Sequence, residues 1–529
     1  MSAPAPESAA TRRAVPARRS PRTRGRLAAL AGALALGLTA TACGGSGSGS
    51  PDSLTILAVQ DSATLDPFRA SYVSLADGPR MSALYDPLVY TPSGGGAVRP
   101  HLAESLTTAD NGVTWTLKLR QGVQFSDGTP FDAEAVRLTW ETHTKPEAVS
   151  IHAGYAAGLQ MTAADPLTLQ VKPPTPNPGF DRVVATHLAF VIAPSALAKG
   201  LNAAGGEPVG AGPYKLDSWQ RGSTQTYVKN ENYWQKDKGL PKIPKITFKN
   251  VPDIRQQLDT VRAGGADLMP SSDQATLAEA AKTLAVDENR YIGGQYVQFN
   301  LRKAPFDDPR ARRAIALALD PADLSKTLDN GYVPAKGFFP QGSPFFDAAA
   351  SQPSPNKAEA QSLFDQLAAE GKKVDFTYLI PMNPSSAKAS EYMQAQLATY
   401  KNVSMRIESL EIGAYVVKST VQRDFQAVLM ARQLVDPEPL AYGMFHSQSR
   451  TNATGWSNPE ADKALEAARG TTDPAARTQG YRDLQRLLAA DLPIWVYSEA
   501  TVGIIHTKNV EGVETFDDGV LLMDRLTKN

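Results

Sequence analysis

The chain has 529 residues, with 54 lysines plus arginines, 54 aspartates plus glutamates and 42% hydrophobic residues. That balance excludes wholesale disorder, and the single cysteine excludes an intramolecular disulfide and any multi-cysteine zinc or iron–sulfur site. The length suits about two to four domains with more than one core.

Residues 1–42 read as an export leader. Arg12, Arg13, Arg18, Arg19, Arg22, Arg24 and Arg26 stand against Glu7 alone. Leu27 to Ala42 then carries no charge and is shorter than the ~20 residues of a bilayer span, so it reads as a signal sequence rather than an anchoring helix. The stretch ends Ala40-Thr41-Ala42-Cys43, followed by a Gly/Ser tether through Ser50. This junction resembles a bacterial lipoprotein lipobox, with Ala40 where Leu is usual. The resemblance implies that Cys43 becomes the acylated N-terminus, held stably once more than one acyl chain is attached. The arginine pairs leave both the general secretory and the twin-arginine routes open. Because the leader takes seven of the basic residues and one of the acidic ones, the remainder holds 47 basic and 53 acidic residues and is mildly acidic.

Beyond the leader, strands and helices alternate. Leu54 to Val59 is predicted as a first strand. Thr114 to Leu119 puts Trp115, Leu117 and Leu119 on one face, and Leu167 to Val171 alternates likewise, so both read as half-buried strands. Asp127-Gly128 marks a turn, and Asp132 can cap a helix carrying Val136 and Trp140. Asp308-Pro309, Asn458-Pro459 and Asp473-Pro474 each place a capping side chain before proline at the first helical position. Apolar residues follow each at helical spacing: Ala311, Ile315 and Leu319, then Ala461, Leu465 and Ala468, then Tyr481, Leu484 and Leu488. Val374 to Ile380 and Ala427 to Met430 read as interleaved strands. With no low-complexity linker after Ser50, the domains are expected to pack closely.

Catalytic patterns are sparse. There is no Walker A loop, Gly210-Ala211-Gly212 runs into Pro213 instead of a helix, and Gly94-Gly95-Gly96 reads as a turn. The six histidines are scattered without H-E-x-x-H spacing, so neither a metal nor a cofactor is expected. Ser385-Ser386-Ala387-Lys388 matches S-x-x-K but lacks the S-D-N and K-T-G partners of penicillin-binding enzymes. Arg310, Arg312 and Arg313, the nearest approach to a basic cluster, read as a solvated helix face beside Asp307 and Asp308, which disfavours nucleic-acid binding.

From residue 65 onward the chain resembles a known family. The matching runs are Leu65-Asp66-Pro67, Leu84-Tyr85-Asp86-Pro87-Leu88-Val89 and Pro100-His101-Leu102-Ala103-Glu104-Ser105. They continue with Trp115 through Phe131, Gly210 through Tyr214, Asn232-Tyr233-Trp234 and Val261 through Asp267. Phe299-Asn300, Pro305 through Ile315 and Trp456 through Pro459 complete the set. In this order they resemble the extracellular solute-binding proteins of family 5, the peptide, dipeptide and nickel receptors of ABC importers. The resemblance implies a non-enzymatic α/β clamshell of two lobes, lobe one having an extra subdomain, expected to act as a monomer. On that basis residues 43–53 form the lipidated tether, 54–295 lobe one (outer subdomain about 89–187), 296–496 lobe two, and 497–529 the return to lobe one. The crossings fall near Gly294 to Val297 and Val496 to Tyr497, where hinge residues would absorb closure.

The same resemblance implies a site. In peptide-binding relatives an exposed strand of lobe two pairs with the ligand backbone, which here corresponds to Met430 through Pro437. Ala431, Arg432 and Gln433 are therefore candidate contacts. Gln433 stands where peptide binders place the aspartate that holds the α-amine, and an amide lacks that charge-assisted bond. Weak binding of unmodified di- and tripeptides follows, and Arg432 becomes a candidate for a ligand carboxylate or phosphate. Tyr72, Val73, Tyr155 and Trp456 are further wall candidates, with Phe338, Phe339, Phe345 and Phe346 behind them. His446 is the one histidine considered for a nickel chelate. The expected role is capture of an oligopeptide-like solute at the outer face of the cell membrane and delivery to an ABC permease. A receptor for a sugar, opine or metal chelate, or a sensor or chaperone uncoupled from uptake, is the alternative.

Overall fold

The computed structural model describes residues 52–328 and 331–529, so the leader, Cys43 and most of the tether lie outside the described residues. The strands that build the molecule are, in chain order, β1 (Ser53–Ala58), β2 (Ala103–Thr108), β3 (Trp115–Leu119), β4 (Gln160–Asp165), β5 (Thr168–Lys172), β6 (Tyr214–Gln220), β7 (Thr224–Lys229) and β8 (Lys245–Asn250). They continue with β9 (Leu268–Ser271), β10 (Ala285–Phe299), β11 (Val374–Pro381), β12 (Val403–Leu410), β13 (Ala427–Leu434) and β14 (Ile494–His506). A terminal hairpin adds β15 (Thr515–Phe516) and β16 (Val520–Leu521).

Ten of these form one mixed sheet in the order β12-β11-β13-β10-β14-β9-β1-β8-β7-β6. The molecule is a two-lobed α/β clamshell. The β9-β1-β8-β7-β6 end belongs to lobe one, and the β12-β11-β13 end to lobe two. Two long antiparallel strands, β10 and β14, join them. Their pairing runs from Ala285–His506 to Tyr291–Ala500, breaks register, and resumes from Gln295–Ser498 to Gln298–Ile494. The break holds Gly293 and Gly294 at φ 107° and 95°. That conformation is open to glycine and strained for other residues. A Cβ on Gly294 would sit 1.9 Å from the Ser498 carbonyl oxygen, so the two strands need glycine to approach this closely.

A separate four-stranded sheet, β2-β3-β5-β4, lies outside the ten-stranded one. Its inward positions Trp115, Leu117, Leu119, Leu169 and Val171 pack on Val136 and Trp140 of the helix Ala133–His143. The Asp132 side chain accepts the Ala135 N–H at 2.9 Å and starts that helix. The other predicted caps act in the same way. Asp308, Asn458 and Asp473 each accept N–H bonds at the start of the helices Pro309–Ala318, Pro459–Arg469 and Pro474–Asp491.

The arginine cluster near residue 310 is a correction to the sequence reading. Arg310 and Arg313 are paired at the surface with Asp308, Glu370 and Glu359. Arg312 is buried, donating to the backbone oxygens of Asp491 and Phe306. It ties its helix to the end of the Pro474–Asp491 helix rather than facing solvent.

Candidate functional site

Three segments distant in sequence meet where the lobes face each other. The first follows β1. Asp77 accepts the backbone N–H of Ser71 at 3.1 Å and the Ser62 hydroxyl at 2.6 Å, which fixes the loop carrying Tyr72 and Val73. The Tyr72 hydroxyl donates to the Pro67 carbonyl, and its ring stacks on His152 with centroids 4.1 Å apart. His187, on the helix Phe180–His187, continues this wall and stacks on Tyr155 at 3.6 Å and 8°.

The second segment is the end of β13 and the turn after it. It supplies Gln433, Leu434, Val435 and Asp436, then Glu438, Pro439 and Leu440. The third is the turn of the β15–β16 hairpin, Asp517-Asp518-Gly519, with Asp517 at φ 45°. Short polar side chains such as Asp tolerate that left-handed conformation. Together the three segments enclose a cavity of about 240 Å³. Val73, Ile151 and Leu440 form a partly exposed apolar rim.

Contacts hold the lobes together around this cavity. Arg182 of lobe one donates from Nε to Asp436 Oδ2 at 3.0 Å, while Arg477 of lobe two holds the other oxygen. Asn111 Nδ2 donates to the Gly470 carbonyl at 3.0 Å, and Gln433 Nε2 reaches the Asp518 carbonyl at 3.5 Å.

Burial dominates the electrostatics. It lowers His143 to about 3, His152 to about 4 and His187 to about 3, so these rings are neutral, mainly apolar surfaces. Burial raises Asp518 to about 7 against the opposing bond from the Ser74 N–H. Asp517 is raised as well, by burial first and then by the Asp518 charge.

Of the residues singled out from sequence, Tyr72, Val73 and Gln433 line the cavity. Tyr155 stands behind the wall, against His187. Ala431 is exposed, and Arg432 alternates to the other side of β13 from Gln433, its Nη1 on the Ala431 carbonyl at 2.9 Å. Trp456 is 3% exposed in the lobe-two core, its Nε1 on Asp491 Oδ2 at 2.8 Å. Phe338, Phe339 and Phe345 are buried in the same core, with Phe346 packed against it. His446 is buried, stacked on Tyr442 and 3.2 Å from Glu466 Oε1. Ser385 meets the Tyr332 hydroxyl, while Lys388 Nζ donates to the Leu328 carbonyl, so neither side chain is aimed at the other. Among the described residues no group of histidine, cysteine and carboxylate side chains is arranged to hold a metal ion.

Sequence reasoning missed Asp517 and Asp518, the wall histidines His152 and His187, and the Arg182 latch. The only local sign was Asp-Asp-Gly between Phe516 and Val520, a turn signal without a functional one.

Comparison with known proteins adds the following. Residues 97–453 match the family described as bacterial extracellular solute-binding proteins, family 5 Middle. The glutathione-binding protein GsiB of Salmonella paratyphi A is 30% identical over 434 residues, covering 78% of this chain and 83% of that protein. HbpA2 from Haemophilus parasuis superposes with a TM-score of 0.78 at 20% identity, over 90% of this chain and 100% of that one. The unliganded open form of the periplasmic murein tripeptide-binding protein MppA gives 0.75 at 22%, over 90% and 97%.

Proposed function

The chain belongs to the bacterial extracellular solute-binding proteins of family 5, and on that premise we propose that it captures a small peptide-like solute between its lobes and passes it to an ABC importer permease. The observation that carries this reading is the cavity itself, walled from lobe one by Tyr72 and His152 and from lobe two by Gln433 and Leu434. A solute there touches both lobes at once, so binding favours the closed arrangement by the difference in its contacts with the open and closed states. At about 240 Å³ the cavity lies below the ~300–1,000 Å³ of drug-sized pockets, so it takes a compact solute or one end of a longer one.

The names of two relatives support a peptide-like solute. GsiB is named for glutathione and MppA for a murein tripeptide. Closure about Gly293 and Gly294 changes the outer surface that a permease meets. The lipobox-like junction supports anchoring through Cys43, with the Gly/Ser tether giving the clamshell reach above the membrane. Among the described residues no helix is long and apolar enough to cross a bilayer.

Native mass spectrometry of protein purified without denaturation tests the capture step. The expected result is a retained solute, released on unfolding. Its loss from cells lacking the gene, measured as lost uptake, connects capture to import. Uptake unchanged by the deletion favours a sensor. Labelling with radioactive palmitate in the wild type but not in Cys43→Ser tests the anchor.

A further inference from the structure

From the charges lining the cleft we infer that the solute presents a compact organic cation, whose positive centre rests against Asp517 and Asp518. This inference rests on the reading of the cleft as the solute site.

Four carboxylates face the cavity, and they differ in their partners. Asp436 is held by Arg182 and Arg477, and Glu438 has Arg469 at 3.7 Å and the Tyr481 hydroxyl at 3.1 Å. Neither Asp517 nor Asp518 has a lysine, arginine or histidine within 4.0 Å among the described residues. Asp517 is 5% exposed, its one side-chain bond a long one from the Thr186 hydroxyl at 3.4 Å. Asp518 accepts the Ser74 N–H at 3.1 Å. A buried carboxylate beside a half-buried one, without a cation, is costly.

The rest of the cavity suits the same ligand. Tyr72, His152 and His187 supply aromatic rings to the lining, and Val73 and Leu440 supply alkyl groups. An organic cation gains from both an aromatic face and a carboxylate. Among the described residues no lysine or arginine lines the cavity, and Arg182, Arg477 and Arg469 beside it are engaged with Asp436 and Glu438, so an anionic group of a solute finds repulsion instead of a partner. Glutathione, with its net negative charge, is therefore a poor fit despite the likeness to GsiB. The raised position of both aspartates has the same origin. Burial and, for Asp517, the Asp518 charge hold both above the ordinary carboxylate range, and an arriving cation favours their ionised form.

Calorimetry on the full protein tests this with choline, agmatine and phenethylamine as cations. Its neutral isostere 3,3-dimethyl-1-butanol controls for choline, and glutathione serves as the anion. At least one cation should bind about tenfold or more tighter than the neutral alcohol and glutathione, the scale of one charge-assisted bond. Binding should release protons, read as a heat that varies with the buffer. Asp517→Asn/Asp518→Asn, whose amides keep the turn, should abolish the preference. Asp483→Asn on the outer face of lobe two should keep it. Cation binding unchanged in the double variant, or binding of none of the three cations, overturns the inference. A neutral or anionic solute seated in this cleft overturns it too, yet leaves solute capture standing. Purified protein that retains and binds no solute of any charge removes both.

Discussion

Arg182 and Asp436 close an ion pair across the cleft, Nε to Oδ2 at 3.0 Å, although 254 residues separate them. Both side chains are mostly withdrawn from water, so the pair is less screened than a surface one. Arg182→Gln leaves Asp436 paired with Arg477, which keeps lobe two intact. The closed state should become less populated, and solute affinity should fall by about threefold to tenfold in proportion. Small-angle scattering and calorimetry read the two effects. An unchanged radius of gyration with unchanged affinity rejects the latch. Arg477→Gln should be worse for stability, because Arg477 is the more buried of the two and also lies over the rings of Phe345 and Tyr481.

Gly294 tests the joint between the lobes. A methyl group there meets the Ser498 carbonyl at 1.9 Å, on backbone at φ 95°. Gly94→Ala is the control, since its φ is 87° and nothing lies within 4 Å of the new atom. Backbone strain alone costs about 1–3 kcal/mol, and that should be the whole effect at Gly94. Gly294→Ala adds the backbone clash and should cost clearly more. Urea denaturation checks the ranking, and equal losses at both sites count against it.

The two glycines also show how far the sequence could be read. Capped helices were legible because Asp132, Asp308, Asn458 and Asp473 act on N–H groups two or three residues away. Strand alternation at Trp115, Leu117 and Leu119 was legible for the same local reason. The fold class followed from ordered family motifs, which are mostly scaffold. The site was legible only in part, at Tyr72, Val73 and Gln433. Asp517-Asp518 faces Gln433 only because the chain returns to lobe one after β14, and nothing in a five-residue window carries that. Arg312 was misread because Arg310 and Arg313, three apart, share one helix face and Arg312 falls off it. Two point outward to Glu359 and Glu370, and the third is turned inward to backbone oxygens.

His143 predicts an acid-limb effect. Its ring is fully buried, Nδ1 is 2.7 Å from the Ser150 hydroxyl, and it is lowered from 6.5 to about 3. The unfolded chain therefore takes up a proton below pH 6.5 that the folded chain refuses until about pH 3. Stability falls with falling pH across that window, by about 1.4 kcal/mol per pH unit for one such group. His143→Gln is expected to be less stable at pH 7.5. Its deficit should shrink by about 2 kcal/mol on going to pH 5. His152 and His187 remain in both proteins and cancel in the difference. A deficit constant with pH would show that His143 titrates normally.

Trp456 separates packing from recognition. Buried at 3% exposure and bonded to Asp491, it should cost about 1–3 kcal/mol when replaced by Phe, through the lost bond and the lost volume. Solute affinity at saturating stability should not change. A calorimetric loss of affinity in Trp456→Phe, at a temperature where the fold is intact, would place it in recognition after all.

Gln433→Asp adds a fifth carboxylate to the cavity, near Asp518. Free-amine dipeptides such as Ala-Ala should bind more tightly to this variant than to the wild type, by about tenfold. Their N-acetylated forms should bind equally weakly to both. An equal gain for the acetylated forms would mean that charge is not the cause.

The hairpin Thr515–Leu521 closes the cleft from the last fifteen residues of a 529-residue chain. Lobe one starts at β1, yet it lacks β14 and this hairpin until the chain has been made as far as Leu521. A shorter chain therefore has no complete binding site, however well the outer sheet β2-β3-β5-β4 has formed.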